Sequence, residues 1–211
     1  LPVTLGGDHA MAAGSLAGFA RATGAQGRIG VIWVDAHADL HTPETSPSQA
    51  YHGMPMAFLL GLGDPDFAAI GGAKPVLRPE HLAYIGLRST EPEEDQRIEA
   101  MGIHVFPMRA IAPGQTVAAF EAALATVTRD IDYLVLSVDL DAFDPAEAPA
   151  VGSPEAQGFR KDDVLSALRA IAQKRPFDMV EVAEFNPDLP GADKTYALLV
   201  AVLQAALGVP A

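Results

Sequence analysis

The sequence predicts an α/β fold of three layers, with helices on both faces of a mainly parallel central sheet. Three observations carry this reading: short β-branched or apolar runs recur, each is followed by an amphipathic stretch of helical length, and Gly or Pro punctuates most of the stretches. The strand runs are Val3–Leu5, Ile29–Val34, 82–87, 103–106, 133–138 and 179–182. The helical stretches between and after them cover 11–22, 55–60, 93–101, 117–128, 161–173 and 193–207. Two segments do not fit short connections: 38–51, rich in Thr, Pro and Ser, and 142–158, rich in Pro, Ala and Gly. Long loops in a compact domain usually carry function. Both follow acidic clusters at strand ends, where open α/β sheets place their ligands.

With 211 residues, the chain is expected to form one domain spanning 1–211. Hydrophobic residues make up 49% and charged ones 19%, a globular composition. No apolar run approaches the roughly 18 residues of a membrane span, so no membrane partner is expected. Fourteen basic against 27 acidic side chains, a net charge of −13, and no Lys/Arg cluster argue against nucleic acid. The absence of cysteine excludes disulfides, thiolate metal sites and cysteine nucleophiles. The opening Leu1-Pro2-Val3-Thr4-Leu5 has no initiator Met and reads as mid-strand, which leads us to expect that an N-terminal part of the natural protein is missing.

The strongest local signal is Trp33-Val34-Asp35-Ala36-His37-Ala38-Asp39, an apolar strand ending in three possible ligands spaced two apart. In extended chain, residues i and i+2 share one face about 7 Å apart, so Asp35 and His37 can serve one ion or two adjacent ones. Asp39 joins them only if the chain turns. The run Ser137-Val138-Asp139-Leu140-Asp141-Ala142-Phe143-Asp144-Pro145 repeats the design with Asp139 and Asp141. Carboxylates gathered at one sheet edge raise one another's pKa values unless cations neutralise them, and two divalent ions balance four aspartates. Gly6-Gly7-Asp8-His9 follows the first strand and puts His9 at the same edge, and Glu181-Val182-Ala183-Glu184-Phe185-Asn186-Pro187 ends another strand in carboxylates. Each of these two alone reads as a tight connection or a solvated edge.

Together the four elements closely resemble the signatures of the ureohydrolase (arginase/agmatinase) family: Gly-Gly-Asp-His, Asp-Ala-His-x-Asp, Ser-x-Asp-x-Asp-x-x-Asp-Pro and Glu-x-Asn-Pro, in that order. Thr42-Pro43-Glu44-Thr45-Ser46-Pro47-Ser48, His52-Gly53-Met54-Pro55 and Tyr84-Ile85-Gly86-Leu87-Arg88 extend the match, the first two resembling bacterial arginases. The resemblance implies an arginase-like α/β/α fold lacking its usual first strand and helix. It implies two Mn²⁺ ions, one held by His9, Asp35, Asp39 and Asp139, the other by Asp35, His37, Asp139 and Asp141. A cysteine-free mix of carboxylate and imidazole agrees, although other divalent metals could enter.

It further implies hydrolysis of a small guanidino compound to urea and an amine. Asp141 would accept a proton from the attacking hydroxide, His52 would shuttle a proton to the leaving amine, and Glu184 would pair with the guanidinium. Ser48 and Ser153 would lie near the substrate. L-Arginine is the first choice, followed by agmatine, guanidinobutyrate or formiminoglutamate; a non-catalytic metal-binding protein of the same fold is the reading from another class. A cytoplasmic homo-oligomer, trimer or hexamer, is also expected from the resemblance.

The pattern breaks at the substrate's amino-acid end. Arginases normally have Asn where this chain has His41 and Gly-Asn where it has Gln49-Ala50, and Glu91 stands where the family has an aspartate for the α-amino group. Losing amide donors weakens recognition of an α-carboxylate, unless His41 substitutes for them.

Overall fold

The computed structural model describes residues 1–209. Six strands form one sheet in the order β1-β6-β5-β2-β3-β4: β1 (Val3–Leu5), β2 (Ile29–Val34), β3 (Leu82–Ile85), β4 (His104–Phe106), β5 (Tyr133–Asp139) and β6 (Met179–Ala183). Every pairing is parallel, and the centre is the β2–β5 pair, with Ile29 opposite Tyr133 and Val34 opposite Val138. The helices are α1 (Met11–Thr23), α2 (Pro55–Leu59), α3 (Pro65–Ala68), α4 (Pro92–Met101), α5 (Thr116–Val127), α6 (Lys161–Lys174) and α7 (Ala192–Leu207).

Strand periodicity divides the core in two. Ile32 and Val34 of β2 pack with Leu134, Leu136 and Val138 of β5 against α5, α6 and α7. Val31 and Trp33 point the other way with Val135, Tyr84 and Met179, against α1 and α2 and against Ile98 and Met101 of α4. Both faces are thus covered, which is why these strands are nearly continuous in apolar residues rather than alternating. Close helix–sheet approach needs Gly30, where a Cβ would lie 2.6 Å from the Val127 carbonyl oxygen.

This order sets the site. From β2 the chain moves outward through β3 and β4, then returns to lay β5 on the other side of β2 and β6 beyond it. The segment after β2 leads to α2 on one face, and the segment after β5 leads to α6 on the other. Two neighbouring parallel strands whose connections part in this way leave a crevice at their carboxyl ends. The long segments predicted at 38–51 and 142–158 contain no named strand or α-helix, only turns, bends, an isolated bridge from Phe143 to Phe159 and the edges of the 3₁₀ turns Tyr51–Gly53 and Leu140–Ala142.

The elements agree with the sequence reading to within a few residues. β3 stops at Ile85 rather than at 87 because Gly86 takes φ 101° and closes on Phe159 and the Asp35 carbonyl. The short α3 was not expected; its signal is Asp64-Pro65, with the Asp64 carboxylate accepting from the Asp66 N–H at 2.8 Å and proline at the first helical position.

Candidate metal centre

The ligands after Asp35 and Asp139 do not continue the extended chain that the i, i+2 argument supposed, although Asp139 itself is the last residue of β5. β2 ends at Val34, and Asp35 Oδ1 accepts the His37 N–H at 2.7 Å. β5 ends at Asp139, and Asp139 Oδ1 accepts the Asp141 N–H at 2.7 Å. Each aspartate thereby caps a tight turn that brings the next ligand type to the same crevice. The two adjacent central strands present the same device side by side, and the Ala36 N–H, 3.3 Å from Asp141 Oδ1, joins them. The chain does turn after His37, with Asp39 in the left-handed region at φ 53°. A non-glycine residue rarely sits there, and its carbonyl is fixed by the Met56 N–H at 3.0 Å.

All six expected ligands meet. Atoms of His9, Asp35 and Asp39 lie within 4.8 Å of one another, as do atoms of Asp35, His37 and Asp141, so Asp35 is common to two groups. His9 Nδ1 is 2.9 Å from Asp139 Oδ2, 3.3 Å from Asp39 Oδ2 and 3.4 Å from Asp35 Oδ2; His37 Nδ1 is 3.0 Å from Asp141 Oδ2. Asp35 is fully buried, and His9, Asp39, Asp139 and Asp141 nearly so, while His37 is partly open.

Orientation of the His9 ring decides what this cluster can hold. The ring stacks on Trp33 at 4.1 Å between centroids. Its Nε2 lies 2.9 Å from Ser137 Oγ, whose hydroxyl donates to the buried Glu181 carboxylate at 3.0 Å, and Ser15 donates to Glu181 from α1. A chain of acceptors ending in a carboxylate keeps the proton on Nε2 and turns the Nδ1 lone pair inward. Buried Nδ1 has no hydrogen-bond partner, although three carboxylate oxygens face it. A lone pair 2.9 Å from a carboxylate oxygen is repulsive unless a proton or a cation lies between them.

The electrostatics say the same. Burial together with the charges of Asp141 and Asp35 pushes Asp139 well up, and burial together with Asp35 pushes Asp39 up to about 8. Burial opposes protonation of His37, but its hydrogen bonds to Asp141 and Asp35 win and raise it to about 12. Burial likewise opposes protonation of His9, but the facing carboxylates of Asp139, Asp35 and Asp39 outweigh it and raise its pKa. With protein groups alone, protons supply the positive charge these aspartates demand. Divalent cations fit the same demand with oxygen and imidazole donors at hand and no thiolate.

The other expected residues line the same cavity, which is bounded by His9, His37, Asp39, Asp139 and Asp141 together with His41, Ser46, Ser48, His52, Glu91, Glu94, Ser153 and Glu184. Glu184 sits at φ 66°, its N–H bonded to the Gly7 carbonyl at 2.7 Å and its Oε1 accepting the His9 N–H at 2.8 Å. Burial raises its pKa, with the His9 N–H acting against it. His52 is half-exposed, with Nδ1 3.4 Å from Asp8 Oδ2. Ser153 is exposed, and Ser48 Oγ accepts the Ala50 N–H at 3.2 Å.

Several residues had no role in the sequence reading. Glu94 is buried, accepts the N–H groups of Leu40 and Glu91 at 3.0 and 3.1 Å, and is raised to about 7 by burial and by Glu91. Its signal is the Glu91-Pro92-Glu93-Glu94 spacing, in which the third residue into a helix reaches back to the cap. Arg88 donates to the carbonyl oxygens of Asp141 at 2.7 Å and Glu155 at 2.8 Å, tying the loop after β5 to the end of β3.

The arginase family model matches residues 1–208. This chain belongs to the arginase family. The arginase of Bacillus caldovelox is 39% identical over 207 residues, covering 98% of this chain and 68% of that protein. Its solved structure superposes with a TM-score of 0.94 at 38% identity, over 100% of this chain and 69% of the other. An arginase from Entamoeba histolytica, solved in complex with L-ornithine, gives a TM-score of 0.90 at 29% identity over 98% of this chain and 69% of its own. The fold is therefore that of an arginase-family hydrolase. Among the described residues, no helix is long and apolar enough to cross a membrane.

Proposed function

We propose that this chain hydrolyses the C–N bond of a guanidino compound, releasing urea and an amine, at a pair of divalent cations of which manganese is the first choice. One observation carries the reading: the unpartnered, buried Nδ1 of His9 faces three carboxylates, one of which, Asp35, also belongs to a second His/Asp group. His9, Asp35, Asp39 and Asp139 would hold one ion, and Asp35, His37, Asp139 and Asp141 the other. Held there, the ions would supply Lewis acidity, lowering the pKa of a shared water and offsetting charge on the oxygen of the tetrahedral species.

The chain's own groups do the rest. Glu184 has Oε1 tied down by the His9 N–H, while Oε2 stands where even a methyl group on Gly152 would be only 3.2 Å away. A carboxylate held in this way orients a planar guanidinium by charge-assisted hydrogen bonds and turns its carbon toward the nucleophile. Asp141 is the acceptor for the nucleophile's proton. The water oxygen becomes the urea oxygen, the C–N bond to the tail breaks, and the departing nitrogen takes a proton. His52, half-exposed in the same cavity, can donate that proton and recover it from solvent.

The relatives are named arginases and one binds L-ornithine, so L-arginine is the reference substrate. The test is urea release from L-arginine, agmatine and guanidinobutyrate by manganese-loaded protein, with a chelated sample alongside. Urea from at least one compound, abolished by chelation and restored by manganese, is expected. No urea from any of them would give the case to a non-catalytic metal-binding protein.

A further inference from the structure

The two histidines of the aspartate cluster are not secured alike. His9 is buried, stacked on Trp33 and backed at Nε2 by Ser137 and Glu181. His37 is the one member of the cluster that is not buried, and it stands on a turn beyond the end of β2. Its Nδ1 faces Asp141 Oδ2 at 3.0 Å and Asp35 Oδ1 at 3.6 Å, so this is the nitrogen directed at the carboxylates. A neutral ring that offers Nδ1 to an ion carries its proton on Nε2, and an acceptor for that proton is what holds the tautomer and the ring plane.

The group facing Nε2 is Glu155, whose Oε1 lies 3.8 Å away. That is just outside direct hydrogen-bond range and within reach of a small side-chain rotation or of one bridging water. Glu155 belongs to a segment without regular structure, yet it is pinned from two sides. The Arg88 guanidinium donates to the carbonyl oxygens of Glu155 at 2.8 Å and Ala156 at 3.0 Å, and also to those of Asp141 at 2.7 Å and Ala142 at 3.2 Å. One arginine thereby ties the backbone of Glu155 to that of Asp141, the carboxylate that meets the other side of the His37 ring. The side chain is fixed separately, by Ser89 Oγ donating to Glu155 Oε1 at 3.1 Å. Arg88 and Ser89 are themselves held to the residue before His37: their backbone N–H groups both donate to the Ala36 carbonyl, at 2.9 and 3.0 Å. The carboxylate and the ring are thus set against each other through one short path of hydrogen bonds. Glu155 is 40% exposed, so solvent screens its charge and orientation is the larger part of what it supplies.

We propose that Glu155 is a positioning residue for His37. It accepts a hydrogen bond from Nε2–H, fixes the tautomer that leaves Nδ1 free for a divalent ion, and does for the second ion what Ser137 and Glu181 do for the first. This rests on the two-ion reading above and deepens it. Glu155 touches neither ion nor substrate.

Manganese binding to the full chain, followed by competition with a chelator and by electron paramagnetic resonance of the bound ions, tests this without reference to turnover. Wild-type protein should bind two ions and give the spectrum of a spin-coupled pair. Glu155→Ala should weaken one of the two ions about 10–100-fold and leave the other unchanged, so that limiting manganese gives the spectrum of an isolated ion. Glu155→Gln, whose amide oxygen still accepts a hydrogen bond, should recover most of the lost affinity. Ser89→Ala should weaken the same ion by a smaller factor, because the carboxylate keeps its backbone anchor and loses its orientation. Wild-type affinity for both ions in Glu155→Ala would overturn the assignment while leaving the two-ion site standing. Equal weakening of both ions, with no recovery in Glu155→Gln, would also overturn it. Fewer than two ions in the wild-type protein would overturn both readings. Should Glu155→Ala fail to fold, Ser89→Ala decides by the same criterion: unchanged affinity for both ions sinks the proposal.

Discussion

The two halves of the cavity are held in different ways. Around the aspartates, each functional group is tied to the sheet: Asp35 and Asp139 cap turns at the ends of neighbouring central strands, and His9 is clamped between Trp33 and the Ser137–Glu181 relay. Around His41, the side chains hold one another, Glu91 to His41 and His41 to Thr45, on a loop without regular structure and at the tip of α4. The first arrangement can vary only by disturbing β2, β5 or β6. The second can change partner by substituting a loop residue. Chemistry that rides on strand ends and recognition that rides on loops is a division of labour a parallel α/β sheet permits at its switch point.

The sharpest way to break the comparison is to remove a carboxylate from the sheet-borne half. Asp139→Ala should lose bound metal and turnover together, with kcat/KM falling about a thousandfold or more, since several kcal/mol of charge stabilisation go with the ion. Metal analysis and urea assay on the same sample check it; retained activity in metal-depleted protein would contradict it. His52→Ala, in the open part of the cavity, should lower kcat about a hundredfold while both ions stay bound, as loss of a general acid does. Loss of metal in that variant would show His52 to be misassigned.

A smaller effect tests whether the relay behind His9 belongs to the sheet-borne half. Ser137→Ala should weaken metal binding about 10–100-fold by competition with a chelator, and Ser137→Thr, which keeps the hydroxyl, should recover part of it. Unchanged affinity in the alanine variant would mean that Trp33 stacking alone orients the ring.

The order and type of nearly every strand and long helix are legible in the sequence, because β-branched runs and amphipathic stretches alternate cleanly along this chain. The six expected ligands also came from the sequence, through motifs whose order and spacing leave little room for coincidence, and all six converge. Missing were contacts created by register. Ser137 and Glu181 are partners because β5 and β6 align them side by side, and nothing in either segment alone reveals that alignment. Asp139 does lie on its strand, but the turns that follow Asp35 and Asp139 were not legible, since Asp-x-His and Asp-x-Asp fit both extended chain and a tight turn and only the strand ends choose between them. Whether His41 could act as a donor was undecidable until Glu91 and Glu94 were seen to occupy it.

Where manganese binds, and how much of it, decides whether the aspartate cluster is a two-ion site. Protein loaded with manganese, freed of excess ion and crystallised should show two anomalous scattering peaks per chain, one among His9, Asp35, Asp39 and Asp139 and the other among Asp35, His37, Asp139 and Asp141. A single peak, or ions bound elsewhere while the aspartate cluster remains protonated and metal-free, would contradict it.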